Sequence, residues 1–171
     1  MQSSIFKTTW GWMGLSASSK GITAIVLPCP TKRAVLTRLG AEGTGGDITA
    51  SPLLRRARTQ IVEFLKGRRR RLTIPVDLSG GTPFQQRVWR ESRRIPYGRS
   101  ISYRGLAQRV GGRQYARAVG LALGGNPVPL VVPCHRVLAS DGSLGGFSGG
   151  LKNKRRLLAM EGMPAMQRAA V

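Results

Sequence analysis

The chain has 171 residues, enough for one compact body or two small lobes but not for several independent domains. Its 28 Lys and Arg against 7 Asp and Glu leave a formal charge of +21, which selects an acidic polymer as partner unless compositional bias merely scatters arginine over the surface. Nucleic acid fits better than a membrane, because no apolar stretch approaches the roughly 20 residues that span a bilayer and no cationic amphipathic anchor stands out.

In chain order, Met1 to Lys7 lacks the apolar core and small-residue cleavage site of a secretory signal, so a cytoplasmic location is expected. Phe6 to Leu27 alternates apolar with small or polar residues around Gly11, Gly14 and Gly21, which predicts short antiparallel strands joined by tight turns. Cys29 lies between two prolines and Cys134 between Pro133 and His135, unlike settings that predict two reduced thiols rather than a disulfide. Gly40 to Ser51 reads as a loop, and Pro52 opens a helix whose Leu53, Leu54, Ala57, Ile61, Phe64 and Leu65 recur at helical spacing. That helix ends near Gly67, its other face is basic, and Arg68 to Arg71 follow as a solvated turn or a phosphate contact. Leu72 to Leu78 suits one further strand. Ser79-Gly80-Gly81 then marks the boundary between an N-terminal lobe, 1–80, and a working lobe, 81–171.

Thr82 caps the next helix, with Pro83 at its first position and Gln85 completing a capping box; Phe84, Val88 and Trp89 share its core face, and Ile95 to Gly98 turn the chain. Ser102 caps a helix through Leu106, Ala107 and Val110, Gly111-Gly112 breaks it, and helical composition resumes over Ala116 to Leu123. Two short helices about a glycine turn predict a helix-turn-helix. The second is small and smooth, with Arg117 its single charge, so it suits a narrow groove or an ordinary buried position better than major-groove reading.

Asn126 to Val137 is the most constrained stretch. Pro127, Pro129 and Pro133 fix its backbone, and Leu130 to Val132 form a buried run from which Cys134 emerges. Rigid placement suits a displacement in which sulfur, attacked carbon and leaving oxygen must align. A free thiol with pKa near ~8.5 needs activation, and His135 is the chain's single histidine, too few for a His/Cys zinc site of the usual composition. Neighbours in an extended segment face opposite ways, so His135 is expected to act through an ordered water, with Glu161 holding its tautomer. Gly142 to Gly150 forms a glycine-rich loop that lets backbone groups approach a planar ligand.

Pro133-Cys134-His135-Arg136-Val137, preceded by Arg117-Ala118-Val119-Gly120 and Asn126-Pro127 and followed by Gly145-Gly146-Phe147-Ser148-Gly149-Gly150, resembles the O6-alkylguanine-DNA alkyltransferases. The resemblance covers roughly Gly81 to Gly162, and the N-terminal half is similar only loosely. It implies an α+β fold, with a small ribonuclease-H-like N-terminal α/β lobe followed by a helical C-terminal lobe with a helix-turn-helix. It implies a cofactor-free, metal-free monomer that moves the alkyl group of O6-alkylguanine, and of O4-alkylthymine, in double-stranded DNA irreversibly onto Cys134. His135, Glu161 and Asn126 would serve the sulfur. Tyr103 would bind the flipped guanine and protonate it as it leaves, Arg117 would replace the extruded nucleotide, the Val137 carbonyl and Ser148 amide would read the base edge, and Phe147 and Lys154 would border the pocket. DNA contacts would come from Ser102, Arg104, Tyr115, Ala116, Arg117, Ala118, Gly120 and Arg136. Two positions depart from the family: Phe147 stands where Tyr is usual, and Tyr115 where the residue is commonly small.

Three rivals share the sequence features. A non-reactive sensor of alkylated DNA would lack Cys134, a thiol hydrolase would need an oxyanion hole and a turnover route, and an architectural DNA binder would give the Pro133 to Val137 segment no reason for its constraint.

Overall fold

A computed structural model describes residues 2–40 and 51–163. Apart from its two end residues, the loop expected at Gly40 to Ser51 lies outside the described residues. These show a mixed α/β architecture with six α-helices and two small sheets, and the chain divides into two units.

The first unit comprises Met1–Leu78 with Pro127–Val131. Its sheet is an antiparallel meander of β1 (Gln2–Thr8), β2 (Gly11–Ala17) and β3 (Ile22–Cys29), in which Phe6 faces Met13 and Ile5 faces Gly14. Side chains alternate across a sheet, so Phe6 and Met13 share one face while Ile5, Trp12 and Gly14 share the other. Helix α1 (Lys32–Leu39) covers the latter face, pressing so close that a Cβ on Gly14 would meet Val35 Cγ1 at 2.5 Å. Helix α2 (Pro52–Leu65) packs on β1 and β2, with Arg58 stacked over Phe6. It buries Leu54, Ala57, Ile61, Phe64 and Leu65; the larger of these side chains each contribute about 1.5–3 kcal/mol.

Helix α1 was not anticipated. Its signals lie at its ends, where the Thr31 hydroxyl accepts from the Ala34 N–H and Gly40 closes the helix at φ 62. The strand expected at Leu72 to Leu78 is instead a single parallel bridge, Ile22 to Val76. Ile22 donates to the Pro75 carbonyl and receives from the Asp77 N–H, but Pro75 has no N–H with which to extend a ladder. Pro127–Val131 groups with this unit through a 2.8 Å hydrogen bond from Ile25 N–H to the Pro127 carbonyl, whereas the sequence reading kept 81–171 whole.

The second unit comprises Ser79–Asn126 and Val132–Val171. Thr82 and Gln85 exchange both hydrogen bonds of a capping box at the start of α3 (Pro83–Ser92), and the Trp89 indole donates to the Ala122 carbonyl at 2.8 Å. Strand β4 (Ile101–Ser102) leads into α4 (Tyr103–Val110), which Ser102 caps by accepting from the Gly105 N–H. A short 3₁₀ turn, Arg113–Tyr115, joins it to α5 (Ala116–Gly124). A second 3₁₀ turn, Cys134–Arg136, runs into β5 (Val137–Leu138), which pairs in parallel with β4, and α6 (Leu151–Met160) closes the described chain.

Candidate active site

Cys134 is positioned by its approach. Val132, Pro133 and Cys134 form an inverse γ-turn, with Pro133 at φ −81 and ψ 63 and the Cys134 N–H donating to the Val132 carbonyl at 2.8 Å. The Arg136 N–H then returns to the Pro133 carbonyl, so residues 134–136 are a 3₁₀ turn, not the extended segment expected from the sequence. The Asn126 amide spans this corner, donating to the Val132 carbonyl at 2.9 Å and to the Cys134 sulfur at 3.1 Å. The sulfur's residue is only 4% exposed, yet it lines a cleft of about 550 Å³ with Tyr103, Arg117, Phe147 and Ser148. Burial pushes the Cys134 thiol up; the Asn126 hydrogen bond, the Lys154 charge and two backbone hydrogen bonds oppose that shift without cancelling it. Cys29 is also a free, buried thiol.

The two residues that follow Cys134 enter a buried ionic cluster with Glu161. His135 Nε2 meets Glu161 Oε1 at 2.9 Å with both side chains wholly buried. Burial alone would raise the Glu161 carboxyl, but hydrogen bonds from His135 and Arg136, and their charges, hold it down to about 2. An ionised carboxylate accepts only, so it fixes the proton of the neutral imidazole on Nε2 and leaves Nδ1 as the basic nitrogen. Nδ1 is buried and finds no hydrogen-bond partner among the described residues. Burial, outweighing Glu161, lowers His135 below its ordinary value, so the ring is neutral at physiological pH.

Arg136 requires a correction. Expected on the DNA-facing surface, it is 7% exposed and turned inward. Its Nε and Nη2 each donate to Glu161 at 2.9 Å, its Nη1 donates to the Ile95 carbonyl at 2.7 Å, and its guanidinium stacks over Tyr97. A buried carboxylate beside a neutral imidazole needs a compensating cation, and among the described residues Arg136 is the one that pairs with it. The Gly98 N–H adds a bond to Glu161 Oε2 at 3.1 Å. Sequence reasoning saw Ile95 to Gly98 only as a turn, although its carbonyl, aromatic ring and amide complete this cluster.

Lys154 also lies deeper than expected. Its ammonium is fully buried and donates to the carbonyls of Val137, Leu144 and Gly146 at 2.8, 2.5 and 3.3 Å, with the Tyr103 and Phe147 rings about it at 5.9 and 5.8 Å. Burial lowers it to about 8. It thus fastens the glycine-rich loop instead of facing the cleft, and the Val137 carbonyl already accepts one bond from it. The Tyr103 hydroxyl donates to the Gly146 carbonyl at 3.3 Å; burial, then the Cys134 charge, raise its pKa, so it keeps its proton at neutral pH. Gly145 lets the loop pass, since a Cβ there would stand 2.8 Å from the Tyr103 ring.

Of the expected DNA contacts, Arg104, Ala116, Arg117 and Gly120 line the cleft. Tyr115 is exposed outside it, and Ser102 and Ala118 are partly exposed. The most exposed apolar side chain on α5, Leu121 at 73%, lines the cleft and was not singled out from the sequence, because leucine in a helix reads first as core.

The chain is similar to known proteins along its length. The crystal structure of Mycobacterium tuberculosis O6-methylguanine methyltransferase superposes with a TM-score of 0.73 at 31% identity, over 98% of this chain and 97% of that one. The chain belongs to the O6-methylguanine-DNA methyltransferase family. The family's DNA-binding domain model, described as 6-O-methylguanine DNA methyltransferase, DNA binding domain, matches residues 83–163. The Mycobacterium tuberculosis OGT in complex with DNA gives a TM-score of 0.75 at 32% identity, covering 95% of each chain. A methylated-DNA--protein-cysteine methyltransferase of Mycolicibacterium paratuberculosis is 47% identical over 102 residues, which span 60% of this chain and 61% of that relative.

Proposed function

We propose that the protein repairs DNA by direct reversal, moving the alkyl group of O6-alkylguanine, and of O4-alkylthymine, in double-stranded DNA onto Cys134 in a single irreversible turnover. The observation that carries this reading is a sulfur that borders an open cleft and accepts from the Asn126 amide, in the residue next to a buried imidazole that pairs with a carboxylate and, through it, a guanidinium. The thiol proton passes through a bridging water to His135 Nδ1, and Glu161 stabilises the imidazolium that forms. The Cys134 thiolate, held by Asn126, attacks the alkyl carbon; the C–O bond breaks, a thioether forms, and the purine takes a proton from Tyr103. Raised pKa values at Cys134 and Tyr103 fit a site that forms thiolate only as the base is seated.

Taking a base out of the stack calls for a substitute, and exposed Arg117 on α5 serves as one, with Leu121 beside it in the cleft. In this reading α4 and α5 are a helix-turn-helix whose small-residue face enters a narrow groove, and Ser148 reads the base edge. Lys154 shapes the loop, and Phe147 forms an apolar wall. The meander with its flanking helices is a reduced ribonuclease-H-like lobe, residues 1–80, ahead of the transfer lobe, 81–171. The protein acts as a cytoplasmic monomer.

Intact-protein mass spectrometry after incubation with a duplex carrying one O6-methylguanine tests the proposal. One methyl mass on the Cys134 peptide is expected, with no further turnover. Catalytic release of methyl from excess duplex, or label on another residue, overturns it.

A further inference from the structure

The basic surface of the first unit has no place in the transfer chemistry. Residues 52–71 hold eight arginines and lysines against one carboxylate, Glu63, and Arg69 already pairs with Glu63 at 2.7 Å. Arg55, Arg56, Arg58 and Lys66 on α2 and just past its end, and Arg68, Arg70 and Arg71 beyond it, are all exposed. At a rise of about 1.5 Å per residue, Arg55 to Lys66 runs about 16 Å along the helix, and B-DNA presents a phosphate every 3.4 Å of axis on each strand. At the far end of that row Lys66 joins Lys7 around a cavity of about 330 Å³.

We propose that this outer face of α2, with the turn that follows, is a second DNA-binding surface that grips the phosphate backbone without reading sequence. The occupant follows from charge and from what the face lacks. Protein interfaces are anchored by buried apolar side chains, but the exposed large apolar residues among those described, Tyr115, Leu121 and Leu151, all belong to the second unit. A row of guanidinium groups without an apolar anchor suits a polyanion. The inference rests on the reading of DNA as the protein's partner and adds a contact that the transfer cleft does not supply.

The test compares two triples of equal charge loss. One is Arg55→Gln, Arg58→Gln and Lys66→Gln. The other is Lys20→Gln, Lys32→Gln and Arg33→Gln, exposed residues of which the latter two lie on α1, on the opposite face of the sheet. Binding of an undamaged duplex is followed by fluorescence anisotropy across a salt series. The α2 triple is expected to lower the slope of log K against log salt by up to about 3, near 0.9 for each lost phosphate contact, and the control triple by much less. Equal changes in both triples would mean a diffuse field rather than a contact, and no change in either would mean a solvated face; both overturn the proposal. Alkylation of Cys134 by free O6-benzylguanine should proceed at the parent rate in both triples. Its failure in the parent chain would count against the transfer reaction while leaving the salt slopes readable.

Discussion

The Asn126 side-chain amide donates to the Cys134 sulfur at 3.1 Å and also, at 2.9 Å, to the Val132 carbonyl two residues earlier. One side chain therefore braces the path of the reactive segment and also favours the thiolate form of its sulfur. Burial drives that thiol up, and Asn126 is the largest of the influences drawing it back.

Asn126→Asp is nearly isosteric but replaces the donor with a carboxylate facing the sulfur. The Cys134 pKa should rise further, because the anionic neighbour disfavours thiolate. The pH–rate profile for alkylation by a free O6-alkylguanine should move to higher pH, with the rate at pH 7 reduced by at least tenfold. An unchanged profile would show that the amide acts on the backbone alone.

Legibility from the sequence tracked range. Local devices were readable: the Thr82 and Gln85 capping box, the Ser102 cap and the apolar stripe of α2 all rest on contacts three or four residues apart. Cys134, His135 and Glu161 are grouped already by the residues themselves and again by the resemblance, and the structure pairs His135 with Glu161 at 2.9 Å. Arg136 was misassigned because its partner lies 25 residues away, and nothing local distinguishes an arginine that turns inward to a carboxylate from one that faces DNA. Lys154 is similar: a lysine on a basic helix reads as surface until the folded loop surrounds it with three carbonyls. Helix α1 was missed because its eight residues show little periodicity and its information lies in Thr31 and Gly40.

Gly145→Ala should disturb Tyr103 without touching it chemically. The added Cβ would stand 2.8 Å from the ring and 3.0 Å from the hydroxyl, at a residue whose φ of 63 also disfavours any side chain. Displacing the hydroxyl by a fraction of an ångström to an ångström should slow transfer by on the order of 10²-fold. Single-turnover kinetics with a methylated duplex check this, and Tyr103→Phe should match it. Parent-like kinetics in both variants would remove Tyr103 from the reaction.

Arg117→Ala should separate extrusion from chemistry. Unstacking a base costs a few kcal/mol, and the exposed guanidinium offsets part of it only when a duplex is present. Repair of a paired O6-methylguanine should slow tenfold or more, while alkylation by the free base should not change. Equal slowing of both would place Arg117 in the pocket rather than in the duplex.

The buried cluster makes acid lability predictable in sign. His135 sits below its ordinary value of 6.5, so the unfolded chain takes up its proton first, and the stability due to a neutral ring is lost as pH falls through 6.5. Glu161 is held at about 2 against an ordinary 4.5, so its contribution is complete above 4.5 and disappears as pH falls from there towards 2. Urea midpoints measured from pH 8 to pH 3 should therefore decline in two stages, and His135→Asn should remove the first. At pH 7, Glu161→Gln should cost about 3–5 kcal/mol, because it strands the Arg136 guanidinium in the interior without a counter-charge. Adding Arg136→Met to that variant should recover much of the loss, since two neutral side chains leave no buried charge unpaired. A double variant as unstable as Glu161→Gln alone would show that Glu161 acts through His135 and Gly98, and that Arg136 is incidental to the fold.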